Sequence, residues 1–538
     1  MPALSSVFFL AWFKEFVKER SLLDTLIKNA CVVDGTGQPV FEADVGIAEG
    51  RIVTVVNDAE QEAVREIEAQ GLCLAPGFID PHTHSDFPLL VNAFAESKIR
   101  QGVTTEIVGN CGFSPAPLLG AAVEEIGAQA RELGLEVTWR SMGEYLDRLR
   151  DPGTAVNVVP LVGHNTVRGA VLGYDDIQPT AEQQARMEQL VEEALEEGAR
   201  GLSSGLFYPP GYYAGAEEVV GLARAAARHG GVYASHIRSE SDLVLPAVSE
   251  AIETSEKAGI QVEIAHLKLE GYRNWDDIDS LVSLLDDAQA RGLPIGCDQY
   301  PYIASNTWLG GLLPYWAQAG GEKAVAERLR DPAFRQQMRE DWEANRADWE
   351  NRGGQRDWAG VCISGCPNGA EFVGKCIAEI AEEQGKDPLD TVFDLIVVSE
   401  GQGSAVWFTQ SEKNVRALMQ HPMVVVGSDG SSLNPEGVLG QRHVHPRNYG
   451  TFPRGLGRYV REERVLSLEE AVKKMTSVTA ERFGLRDRGV VREGAQADLV
   501  LFDAKHVLDR ATFAAPHRYP EGIPYVLVNG TIVLDGGQ

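Results

Sequence analysis

The sequence predicts an α/β fold built on a (β/α)8 TIM barrel, and three observations carry that prediction. Strand-like and helix-like runs alternate through the middle of the chain, and residues of the metal-ligand type recur where the strand-like runs end. The third is the pair His82 and His84, directly after Phe78-Ile79-Asp80-Pro81. Side chains on a strand repeat every two residues, so both imidazoles point the same way and can meet one ion at the strand's C-terminal end.

Taken in order, residues 1–21 form an N-terminal extension whose apolar patch at 6–13 lacks a basic start and a small-residue cleavage site, so it is a poor signal peptide. Short β-rich runs at 26–34, 43–48 and 51–56 are separated by Gly-containing turns, and matching runs lie at 497–503 and 525–534, the last around an Asn529-Gly530 turn. Together they predict a small β-sandwich domain formed by both chain ends, over 22–76 and 486–538. The barrel then occupies 77–485. Its strands fall at residue 78 and at 103–108, 156–162, 201–206, 232–234, 262–265, 295–297 and 423–426, with helices at 144–149, 181–197, 217–229, 243–258 and 278–290. From 306 to 410 there is far more chain than one crossover needs. An inserted subdomain before strand 8 accounts for it, and such insertions often cover the catalytic face.

A chain of 538 residues, 44% hydrophobic and 24% charged, has the composition of a soluble globular protein. Its net charge of −29 argues against nucleic acid and anionic membranes, which are bound mainly through Lys and Arg. No stretch approaches the roughly 18 apolar residues of a membrane span. The seven cysteines are an odd number without a disulfide-scaffold spacing, which points to a reducing, cytoplasmic setting. Cys362 and Cys366, with three residues between them and no second pair nearby, read as structural.

Catalytic groups of this fold sit at the C-terminal ends of its strands. His82 and His84 end strand 1, Cys111 follows strand 2, His236 ends strand 5, His266 strand 6, and Asp429 follows strand 8. Each has a plainer explanation alone: a polar interior for His-x-His, a buried apolar cysteine, an Asx turn for Ser428-Asp429-Gly430. Six such coincidences at one end of a barrel favour a metal site.

At this point the chain resembles the amidohydrolase superfamily, and within it the N-acyl-D-amino-acid deacylases (D-aminoacylases). The resemblance covers about residues 22–535 and rests on 77–86 (GFIDPHTHSD), 109–112 (GNCG), 235–236 (SH), 266–268 (HLK), 427–430 (GSDG) and 445–454 (HPRNYGTFPR). It implies one zinc held tightly by Cys111, His236 and His266, and a weaker second metal position at His82, His84 and Asp429, with the thiolate able to bridge. A thiolate and two imidazoles suit zinc and leave room for water, which zinc activates at neutral pH. It further implies Asp429 as general acid and base, and Arg447, Lys268 and Tyr208 at the substrate carboxylate, the arginine as a bidentate fork. Hydantoinases and dihydroorotases of the superfamily commonly bridge their metals with a carboxylated lysine on strand 4. Residues 201–208 (GLSSGLFY) contain none, which argues against those activities.

The resemblance therefore implies zinc-dependent hydrolysis of N-acyl-D-amino acids, small-molecule substrates whose D configuration is likewise read from the family. Two alternatives stay open: a dipeptidase for peptides with a C-terminal D-residue, or another amidase of the superfamily, and, from a different class, a noncatalytic scaffold on a degenerate barrel. The scaffold predicts missing ligands, whereas all six candidates are present. Phe207, Trp308, Tyr315 and Trp316 suit an apolar D side chain and equally suit a core.

Overall fold

Eight strand runs with helical spacers close into a parallel barrel, as predicted. In the computed structural model, which describes residues 22–344 and 358–538, the barrel strands are β1 (Phe78–Asp80), β2 (Val103–Val108), β3 (Asn157–Gly163), β4 (Gly201–Gly205), β5 (Val232–His236), β6 (Gln261–Ile264), β7 (Ile295–Gln299) and β8 (Val424–Val426). The predicted extension at 1–21 lies outside the described residues. Strands covered on both faces are buried at every position, as β2, β5, β7 and β8 are, and β8 is apolar throughout while β2, β5 and β7 also bury polar residues such as Glu106, His236 and Asp298. No ladder joins β8 to β1. The ring closes one step further on, where Thr83 bridges Gly430, Asp429 N–H donates to the His82 carbonyl (2.9 Å) and His84 N–H to that of Gly430 (3.0 Å). The seam of the barrel is thus made by the candidate site itself.

Helices fit the crossovers for local reasons. Ser141 and Glu144 form a capping box on Met142–Arg150, as do Thr180 and Gln183 on Ala181–Glu196, each cap contributing about 1 kcal/mol. Val244–Ala258 buries Val244, Ala247, Val248, Ala251, Ile252 and Ser255, one stripe at helical spacing, and stops at Gly259 with φ +66°.

The two chain ends meet in a second, eight-stranded sheet, joined where Leu499–Phe502 pairs antiparallel with Cys73–Pro76. Alternation along these strands serves two cores: Leu499, Leu501 and Leu74 face the sheet's own interior, while Val500, Phe502, Cys73 and Ala75 face the barrel's. Phe78 of β1 stacks on Phe452 at 5.4 Å and meets Phe502 at 6.4 Å, which pins the barrel's first strand to this sheet. Two of the eight strands, Ala63–Glu68 and Cys73–Pro76, were not expected. They pair parallel with successive halves of Leu23–Val32, on either side of a bulge around Asn29, whose φ is +57°.

Between β7 and β8 the chain forms a three-stranded antiparallel sheet of Ser305–Trp308, Val361–Gly365 and Ser404–Trp407, packed with helices around the fully buried Trp407. One expectation is corrected here. Cys362 is disulfide-bonded to Cys376, which faces it across an antiparallel bridge, and Cys366 is free. A pairing made by a return of the chain leaves no trace in cysteine spacing. Among the described residues no helix is long and apolar enough to cross a membrane.

Candidate metal centre

The turn after β1 is held before it is functional. Asp80 and Lys98 are both fully buried, and an isolated charge at such depth is costly unless paired. Lys98 Nζ lies 2.8 Å from Asp80 Oδ2 and donates to Ser428 Oγ at 2.6 Å, while Asp80 Oδ1 accepts the backbone N–H of Ser428 at 2.9 Å. This ion pair locks the loop that carries His82 and His84 to the loop that carries Asp429.

Three candidate ligands stand in left-handed backbone conformations: Cys111 (φ +53°), His266 (φ +35°) and Asp429 (φ +48°). Such non-glycine positions cost of order 1–3 kcal/mol each and persist only where their surroundings impose them. Beside Cys111, a Cβ on Gly112 would stand 2.2 Å from Asn165 Oδ1 and 2.5 Å from Gly205 N, so glycine is needed for the close approach.

The side chains converge. Cys111 Sγ lies 3.3 Å from His82 Nε2 and 3.5 Å from His266 Nε2, and Asp429 Oδ1 lies 3.0 Å from His84 Nε2 and 3.6 Å from His82 Nε2. His236 joins them with its ring 4.4 Å from that of His266. The structure therefore brings all six predicted ligands together. His82, Cys111, His236, His266 and Asp429 are buried and His84 is half-exposed. Donor atoms of His82, Cys111 and His266 lie close enough together to hold an ion, as do those of His82, His84 and Asp429. Neither ring nitrogen of His236 finds a hydrogen-bond partner. Glu240 Oε1 stands 3.9 Å from His236 Nε2, in ion-pair range but too far for a hydrogen bond, and a cation fits the unmet need of this buried imidazole.

Electrostatics agree with a cation site. Burial opposes charge on Cys111, yet the His82, His236 and His266 imidazoles outweigh it and hold the thiol well below its ordinary value. Thiolate is the form that binds metal. Burial also pushes the Asp429 carboxyl up, but the Arg447 guanidinium, His266 and the bond to His84 prevail and hold it well below the usual carboxylate range.

The three predicted substrate residues line a cleft of about 530 Å³ that opens from these ligands. Arg447 Nη1 stands 2.8 Å from Asp429 Oδ2, a charge contact without hydrogen-bond alignment, and its guanidinium lies 4.9 Å from the centre of the Tyr300 ring. His445 holds it there, accepting the Arg447 backbone N–H at 3.0 Å. Tyr208 is hydrogen-bonded to Thr307 of the insertion (2.8 Å), its ring 4.9 Å from that of His236. Lys268 points at the buried Glu240 and lies 2.9 Å from His266 Nδ1.

Two acids of the site escaped the sequence reading. Glu240 Oε1 lies 2.8 Å from His266 Nδ1. Asp298 accepts the His266 backbone N–H at 2.9 Å and lies 3.4 Å from His82 Nδ1. Asp298 had a signal, an acid near the C-terminal end of a barrel strand. Glu240 is in a loop and had none.

With this geometry in hand, comparisons place the chain. The amidohydrolase family profile matches residues 65–534. An N-acyl-D-glutamate deacylase of Alcaligenes xylosoxydans xylosoxydans is 37% identical over 95% of this chain and 94% of its own length. A D-aminoacylase of the same organism is 34% identical over 95% and 94%. The crystal structure of an N-acyl-D-glutamate deacylase from Bordetella bronchiseptica, complexed with zinc and a phosphonate mimic of the tetrahedral intermediate, superposes with a TM-score of 0.80 at 34% identity, covering 95% of this chain and 97% of that one.

Proposed function

The chain belongs to the amidohydrolase family, and we infer that it is a zinc-dependent enzyme that hydrolyses the amide bond of N-acyl-D-amino acids, releasing a carboxylate and a free D-amino acid. The observation that carries this reading is one buried cluster, the Cys111 thiolate among His82, His236 and His266, at the end of a cleft that also presents Arg447.

Cys111, His236 and His266 hold the tightly bound zinc, and His82, His84 and Asp429 offer a second, weaker position. Zinc supplies Lewis acidity, making water a nucleophile at neutral pH and polarising the amide carbonyl. The remaining work falls to the chain. The Asp429 carboxylate takes the proton of the attacking water and returns it to the departing nitrogen, a role supported by its place among the ligands, 3.0 Å from His84 and 3.6 Å from His82. The Arg447 fork, with Lys268 and Tyr208 beside it, orients the substrate through its carboxylate. The reading also takes the protein to be cytoplasmic, on the five cysteines that stay free, Cys111 among them, while the Cys362–Cys376 disulfide is the one feature that favours an oxidising setting.

Arg447→Lys tests the carboxylate site. It keeps the charge and loses the planar fork, so kcat/KM for an N-acetyl-D-amino acid should fall about ten- to a hundredfold, the scale of roughly 1.5 to 3 kcal/mol for a charge-assisted bond. An amide-capped substrate should scarcely respond; equal losses on both would assign Arg447 to the fold.

The cleft also bears on the side chain. Each Lys or Arg lining it faces an acid: Lys268 faces Glu240, Arg442 faces Glu132 and Arg447 faces Asp429. Beyond them the wall carries Glu125 and Glu322 between Phe113, Tyr208 and Trp308. Burial and the neighbouring Glu125 and Glu132 push Glu322 up to about 8. With Arg447 and Lys268 taken by the first carboxylate of the substrate, a second one meets only Arg442, already paired with Glu132, and further acids. N-acetyl-D-leucine should therefore be hydrolysed at least about tenfold faster in kcat/KM than N-acetyl-D-glutamate, a difference of ~1.4 kcal/mol; a preference for the glutamate would reject this assignment of the wall.

A further inference from the structure

Glu240 lies four residues beyond β5, 3% exposed, among groups that the proposed chemistry uses. Its Oε1 lies 2.8 Å from Nδ1 of His266, in ion-pair contact with Nζ of Lys268, and 3.9 Å from Nε2 of His236. The opposite nitrogen of His266, Nε2, faces Cys111 Sγ at 3.5 Å. Lys268 Nζ also stands 2.9 Å from His266 Nδ1, so two donors and one acceptor crowd a single spot.

That crowding has two resolutions. A neutral imidazole carries one proton, and whichever nitrogen bears it has no lone pair for an ion. If Lys268 donated to Nδ1, the proton of His266 would sit on Nε2 and the ring would face Cys111 and the cleft as a donor. If Nδ1–H donates to Glu240 instead, Nε2 keeps its lone pair for a metal, and Lys268 turns to the same carboxylate. We propose that Glu240 is a positioning residue that enforces the second arrangement: it fixes His266 in the metal-binding tautomer and keeps Lys268 from competing for Nδ1, thereby linking the metal ligands to the anion-binding side of the cleft. Carboxylate–histidine–metal relays of this kind set ligand orientation and basicity, and their loss costs about 10- to 100-fold in metal affinity.

This proposal rests on the reading of Cys111, His236 and His266 as the zinc ligands, and its test reads zinc binding directly, without substrate. The full chain is stripped of metal, and its zinc Kd is measured by competition with a chromophoric chelator, beside circular dichroism and Tm. Glu240→Gln, nearly isosteric, should fold normally and bind zinc about 10- to 100-fold more weakly, and Glu240→Asp should recover part of the loss. Glu240→Ala should be weakest of all. Removing the competitor as well, in Glu240→Ala/Lys268→Met, should restore affinity relative to Glu240→Ala alone. A purely structural Glu240 would lower Tm and leave the zinc Kd of Glu240→Gln at the wild-type value, which overturns the proposal. Failure of the double variant to regain any affinity overturns the role of Lys268. Wild-type protein without tight zinc would instead reject the ligand assignment itself.

Discussion

Cys111→Ala should lose both tight zinc and hydrolysis. The sulfur is the one thiolate of the site, and its neighbours His82 and His266 stand 3.3 and 3.5 Å from it. A methyl group supplies neither ligand nor charge, so the tight position falls from three protein donors to two imidazoles. Because His82, His236 and His266 are buried around the thiolate, removing its charge also withdraws what offsets their desolvation. The expected result is zinc near background after dialysis and turnover reduced by several orders of magnitude, with far-ultraviolet circular dichroism unchanged. A cysteine that served only as a small buried apolar residue predicts a nearly silent substitution. Full zinc content with wild-type turnover would remove Cys111 from the site.

Asp429→Asn should separate metal from proton transfer. The amide is close to isosteric and still hydrogen-bonds, but it cannot accept the proton of an attacking water. Zinc held by Cys111, His236 and His266 should remain, while kcat falls by at least about 10²-fold, the scale of general acid–base catalysis. Arg447 and His84, now opposite a neutral group, should leave KM less affected than kcat. Activity that instead followed zinc content would make Asp429 a ligand alone, and activity near wild type would make Ser428-Asp429-Gly430 no more than a turn.

Much of the architecture was legible because its physics is local and periodic. Strands such as β2 and β8 are buried on both faces and so appear as unbroken β-rich runs, and crossover helices such as Val244–Ala258 repeat their apolar residues at helical spacing. His82, His84, Cys111, His236, His266 and Asp429 were legible because a barrel gathers its strand ends at one face. What stayed hidden depends on partners distant in sequence. β7 was expected over 295–297, yet the strand continues through the polar Asp298 and Gln299, and Asp298 supports both His82 and His266. Ala63–Glu68 exposes all three of its charged residues, and only its parallel pairing with Leu23–Val32 makes it a strand. Lys98 drew no reading from the sequence, and the structure buries it between Asp80 and Ser428 at the barrel's seam. Likewise, the bond between Cys362 and Cys376 arises from the return of the chain in the insertion and not from any motif.

The most direct measurement of the central claim is amine release from paired N-acetyl-D-leucine and N-acetyl-L-leucine by one preparation in three states: as purified, stripped of metal by chelation, and reconstituted with zinc. The account predicts release of D-leucine by the purified enzyme, its loss on stripping, its return with about one zinc per chain, and little release from the L enantiomer in any state. Equal hydrolysis of both enantiomers, or undiminished hydrolysis after the metal is gone, would contradict it.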